Sequence, residues 1–178
     1  WARVRDYVAL TVICHRSEIE ADDYFFYQDP VSRKWSFIPW DHNNGNFGVA
    51  GYENRLVEPS VHVFPQTIQN LGWRPPWWFV LPSRIVQDDP LRREYLDRLE
   101  QLTNGWLLSG KVDALIDGNF AQLRQDYPVD PYRAPYEGED PFLRSPRELK
   151  DFVRHLAQNI LRQIQRARAR ADASVVIN

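Results

Sequence analysis

The sequence has no methionine, a single cysteine and no apolar run near the roughly 20 residues that a membrane-spanning helix needs. Each absence excludes something. Cys14 alone cannot close an internal disulfide, and cysteine-rich zinc sites are ruled out. Because it lies in an apolar, helix-like stretch, it is expected to be a small buried hydrophobe. A formal net charge of -2 supplies no basic field, so no nucleic-acid partner is expected, and no membrane span either. The one basic run, from Arg162 to Asp172, continues a helical pattern and reads as a solvated face. Glycines near Gly45 and Gly48 are too few for a phosphate-cradling loop. The chain opens on the amphipathic WARVRDYV with no signal peptide or cap, which suggests a piece excised from a longer protein.

A length of 178 residues suits one domain with a real core, and hydrophobic and charged shares of 43% and 26% are ordinary for a globular protein. The aromatic share of 13% is high, and much of it falls in FPQTIQNLGWRPPWWF, from Phe64 to Phe79. That segment is a packed lid, a partner surface or irregular core, with burial the commoner use of Trp and Phe.

Hydrophobic spacing organises the rest. Trp1, Val4, Val8 and Val12, broadened by Tyr7 and Leu10, predict a helix over residues 2–14. Residues Tyr24 to Tyr27 and Trp35 to Pro39 predict two strands joined through Asp29-Pro30-Val31-Ser32-Arg33, a hairpin whose corner is preset by Pro30. From Gly45 to Arg84 no periodicity persists, and Pro59, Pro65, Pro75, Pro76 and Pro82 block long regular elements. Three helices follow. Asp89 and Pro90 open the first, with Leu91, Tyr95, Leu96, Leu99 and Leu102 on one face and Asn104-Gly105 closing it. Ser109 is expected to cap the second, which carries Val112, Leu115, Ile116, Phe120 and Leu123. Ser145-Pro146-Arg147-Glu148 is a capping box for the third, with Leu149, Phe152, Val153, Leu156, Ile160, Leu161 and Ile164 as its stripe. The predicted class is α+β, mostly helical, with a β-hairpin between helical blocks.

Two segments carry chemistry. SFIPWDHNNGNFG delivers Asp41 into a loop of His, Asn and Gly, which is either a turn or an oxygen-rich ligand loop. CHRSEIEADDYFFY crowds Glu18, Glu20, Asp22 and Asp23 before the first strand, either as solvated acids or as a site. A hairpin brings the start of its first strand beside the end of its second, so Asp23 and Asp41 converge, and two such carboxylates can hold Mg²⁺ (or Mn²⁺). His15 and His42 lack ligand spacing, which leaves hydrolysis at a histidine-metal site poorly supported.

The opening helix, the acidic loop, DDYFFYQDPVSRKWSFIPWDHNNGNFG and LPSRIVQDDPLRREYLDRLEQL, taken in order, resemble the C-terminal part of the CotH kinase family, atypical protein kinases named for a spore-coat protein. Ile38-Pro39-Trp40-Asp41 is the most specific match. The resemblance implies a protein-kinase-like C-terminal lobe over residues 1–173, without the N-terminal lobe, that transfers the ATP γ-phosphate to Ser or Thr of a protein substrate. It implies Asp41 and Asp23 as metal ligands, with Asn43 beside them at the nucleotide. Glu18, five residues before Asp23, falls where kinases place the base. A register shifted by one makes His15-Arg16-Ser17 resemble the kinase His-Arg-Asp, with Asp22 as ligand and a Ser17 that cannot act as base. The family commonly has Asn where Asp23 stands and Asp where Asn43 stands. Such a lobe alone is expected to be inactive, since the phosphate cover and its basic residue belong to the other lobe. Residues 174–178, SVVIN, resemble the opening strand of a lamin-tail domain, a module of secreted bacterial proteins, which points to a secreted or cell-surface parent. The rival reading is an inactive kinase-like structural or adhesion module that binds protein or glycan through its Trp-rich insertion.

Overall fold

The computed structural model describes residues 1–14, 24–39, 84, 88–129 and 141–175. Helix α1 (Ala2–Ile13) forms where the spacing predicts it. Its buried face is centred on Val8 and Val12 and takes in Tyr7, Ala9, Thr11 and Ile13, whereas Trp1 and Leu10 stay exposed. The expected stripe is therefore rotated toward Ala9, whose small side chain allows a neighbouring helix to approach. Thr11 is tolerated inside because its hydroxyl donates to the Val8 carbonyl at 2.7 Å. Cys14 is only partly buried, at the helix end.

Helix α2 (Asp89–Leu102) starts one residue earlier than the expected cap implies: the capping side chain is Asp88, whose carboxylate accepts from the Leu91 amide at 3.0 Å. Asp89 sits in the first turn, favourable for an anion, and pairs with Arg92. Asn104-Gly105 does not stop the helix. A π-helical turn, Thr103–Leu107, continues it, and the Leu108 amide reaches back to the Thr103 carbonyl at 3.1 Å. Thr103 is buried with its hydroxyl on the Leu99 carbonyl at 2.7 Å, and the widened turn sends Leu107 into the core.

Ser109 does not cap the next helix either; its hydroxyl donates to the Trp106 carbonyl at 3.1 Å. Gly110 takes that place with φ 79, a left-handed conformation suited to glycine, and helix α3 (Lys111–Asp126) follows. Val112 and Ile116 are buried and Phe120 packs against the core, but Leu115 and Leu123 of the same predicted stripe are exposed. Helix α4 (Pro141–Val175) begins four residues before the predicted capping box, with Pro146 inside it. Pro141 supplies the same first-position proline that had pointed to Pro146. Its predicted stripe holds: Phe152, Val153, Leu156, Ile160 and Ile164 are buried, joined by Ala157, with Leu149 and Leu161 at the margin. The helix runs on through Ser174 and Val175, so these do not open the expected strand, and residues 176–178 lie outside the described ones.

Buried side chains of the four helices and the π turn form one apolar cluster. Ion pairs bind its edges: Asp6 with Arg98 joins α1 to α2, and Arg168 with Asp97 and Glu100 joins α4 to α2. Partial burial would raise the Asp6 carboxyl, but hydrogen bonds and charge from Arg98 and Arg5 outweigh it and hold the group below its ordinary value. With its single two-stranded antiparallel sheet, the described chain is α+β and mostly helical. No helix among the described residues is long and apolar enough to cross a membrane.

Candidate functional site

Within a run of four aromatic residues, Phe25, Phe26 and Tyr27 present large rings to both faces of a strand. Strand β1 (Tyr24–Gln28) pairs antiparallel with β2 (Trp35–Pro39) in the register Tyr24 to Pro39, Phe26 to Phe37 and Gln28 to Trp35. The hairpin expected from the sequence is thus present and gains Gln28.

Its closed end is built from short polar bonds. The Asp29 carboxylate accepts from the amides of Val31 at 3.1 Å and Ser32 at 2.5 Å, while the Asp29 amide donates to the Lys34 carbonyl at 3.0 Å. Bonds from the Ser32 amide and hydroxyl, helped by Val31, hold the Asp29 carboxyl below its usual range. Arg33 closes the loop with φ 58, a left-handed slot that a side chain occupies at some cost. Helix α1 steadies the ribbon, because Arg3 Nη1 donates to Ser36 Oγ at 3.0 Å. Phe26 meets Trp35 edge to face, 6.4 Å between ring centroids.

Along this closed end runs a groove of about 1290 Å³ between the start of α1 and the ribbon, lined by Trp1, Phe26, Tyr27 and Trp35 with Arg3, Arg33 and Lys34. No sequence motif announced it, since its two walls lie about 30 residues apart. The warning sign was the unbroken aromatic run, which no polar alternation relieves.

The other end of the ribbon carries the sequence-based site. Asp23 is joined directly to Tyr24, and Asp41 follows Pro39 by two residues. Glu18, Asp23, Asp41 and Asn43 lie outside the described residues, as do Ser17, Asp22, His15, His42 and the Trp-rich insertion from Trp73 to Phe79. What the described backbone contributes is the pairing of Tyr24 with Pro39, which brings the strand ends bearing the two aspartates into register. The groove runs from the turn as far as Phe26, two residues along β1 from the strand end that Asp23 adjoins in sequence. Among the described residues no group of His, Cys, Asp and Glu side chains is placed to hold a metal ion.

Comparison with known proteins bears on the same segments. Residues 4–160 match the family model described as CotH kinase protein, a span that includes the hairpin, both acidic segments and helices α2 and α3. No curated protein and no solved structure matches the chain.

Proposed function

The chain belongs to the CotH kinase family, and from that membership we propose that it transfers the γ-phosphoryl group of ATP to Ser or Thr hydroxyls of a protein substrate. The described helices and hairpin would form part of a kinase-like C-terminal lobe, in a bacterial protein acting at the cell surface or outside it. The observation that supports a common site is the register of the ribbon. Tyr24 faces Pro39, and paired Cα atoms lie about 5 Å apart. Adding one backbone step to Asp23 and two to Asp41 keeps their Cα atoms within about 16 Å and permits much closer approach. Carboxylate oxygens are hard donors, the kind that Mg²⁺ (or Mn²⁺) takes, so the donor set fits the metal.

In this reading Asp23 and Asp41 hold the metal, which supplies neutralisation of the phosphate charge, and Asn43 adds an amide at the nucleotide. Glu18 accepts the hydroxyl proton as the substrate oxygen bonds to the γ-phosphorus and the bond to the ADP oxygen breaks. Two residues favour a second reading, an inactive nucleotide-binding relative: Glu18 reaches farther than an aspartate, and Asn43 lacks the charge of the usual acid.

The test is made on the protein as its whole gene encodes it. Mg²⁺-dependent ATP binding and phosphate transfer to a protein acceptor are expected, and Asp41→Asn should abolish transfer while leaving the thermal unfolding midpoint in place. Uptake of nucleotide without transfer would select the inactive reading. Failure to bind nucleotide in the presence of metal overturns both and leaves an adhesion module. Such a module would bind protein or glycan through Trp73 to Phe79 equally well in an Asp23 and Asp41 double variant.

A further inference from the structure

A cavity of about 440 Å³ opens between α3 and α4, over a floor that includes Phe120 and Pro146. Four cations line it, Arg124, Arg147, Lys150 and Arg154, against one acid, Asp117. Their partners divide them into two kinds. Lys150 is bonded to Asp117, and Arg154 to Asp113 and Asp151, so these charges are compensated. Arg124 and Arg147 are exposed and form no ion pair or hydrogen bond among the described residues. Arg124 also lies in the last turn of α3, where a cation complements the helix dipole. That attraction occupies none of its five N–H donors.

Two guanidinium forks without a partner among the described residues, lining a concave cleft together with apolar side chains, make a specific combination. A fork matches the tetrahedral oxygens of a phosphoryl group bidentately, which an ammonium cannot do. A phosphorylated side chain carries nearly two negative charges at neutral pH, the number of cations here that have no partner among the described residues. The apolar side chains of the cleft, Phe120 and Pro146 among them, suit the stem and neighbours of a peptide side chain.

We propose that this cleft binds a phosphoserine- or phosphothreonine-bearing peptide, with Arg124 and Arg147 grasping the phosphoryl group. The site lies on α3 and α4, shares no lining residue with the groove at the hairpin, and requires neither nucleotide nor metal. It therefore stands whether or not the chain proves to be a phosphotransferase; if it does, the ligand has the chemistry of its own product.

The test is fluorescence anisotropy on the 178-residue chain without ATP or metal. A labelled phosphoserine peptide with apolar flanks is compared with its unphosphorylated twin, and vesicles containing phosphatidylserine are run in parallel by sedimentation. The phosphopeptide is expected to bind at least tenfold tighter than its twin. The double variant Arg124→Gln, Arg147→Gln should lose at least tenfold, whereas Arg162→Gln, which removes a charge elsewhere on α4, should change affinity less than twofold. Equal binding of the two peptides, an equal loss in Arg162→Gln, or sedimentation with vesicles but no peptide binding overturns the proposal. Should the double variant unfold, competition on the parent chain decides: inorganic phosphate must displace the labelled peptide, and failure to do so refutes the site.

Discussion

The helical core and the hairpin are held together by different forces. In the helices, Val8, Tyr95, Leu99, Leu156 and Ile160 are entirely shielded and their polar neighbours are satisfied. In the ribbon, Phe25, Phe26, Tyr27, Trp35 and Ile38 are all exposed, Trp35 at 63%. Burial supports the first region; turn bonds around Asp29 and one contact from Arg3 support the second. A lone two-stranded hairpin is marginal in water. The proposed metal ligands thus adjoin in sequence the part of the described chain whose stability comes least from burial, while the helices beside it share one buried core. Such a division lets a site adjust without loosening the fold.

The comparison breaks if burial is not what separates the regions. Leu156→Ala should cost about 3 kcal/mol in urea unfolding, through lost transfer energy and the cavity left behind. Trp35→Ala, a larger deletion on the ribbon, should cost less than about 1 kcal/mol; equal costs would show that the ribbon is part of the cooperative core. A smaller effect probes the seam between α1 and α2. Because Asp6 is held below the ordinary carboxylate value of about 4, its contribution is fully present above that pH and is lost as pH falls through its lower folded value. Asp6→Asn should therefore lower stability by about 1 kcal/mol at pH 7 and flatten part of the acid limb, measured by thermal unfolding across pH 2 to 7. Smallest of all, Arg33→Gly relieves the left-handed residue at φ 58 and should stabilise the hairpin by about 0.5 kcal/mol, seen as slower exchange of its amides.

Periodicity made the helices legible, because an apolar stripe such as Leu149 to Ile164 has one way to meet a core. Helix ends were less so. Adjacent Asp88 and Asp89 carry the same capping chemistry, and Pro141 and Pro146 the same start signal, so only the fold decides between them. Asn104-Gly105 reads as a stop in isolation, yet the buried Thr103 and Leu107 on either side hold the backbone in a helical path. For the site, Ile38-Pro39-Trp40-Asp41 was the most specific of several segments that, taken in order, resembled the family, since each such motif is local. Arg124 and Arg147 were not legible as a pair: they stand 23 positions apart, and only the docking of α3 on α4 sets them around one cavity.

The π turn at Thr103–Leu107 has a bearing on how relatives of this chain should be compared. A π turn accommodates one more residue than an ordinary helical turn, and each residue advances the helix by about 100°. A relative one residue shorter in that stretch would swing Leu107 and the entry to α3 away from their present bearing unless it recovered the angle elsewhere. A single-residue gap there in an alignment therefore marks a rearranged helix junction, and chain length at this point serves as a structural coordinate in its own right.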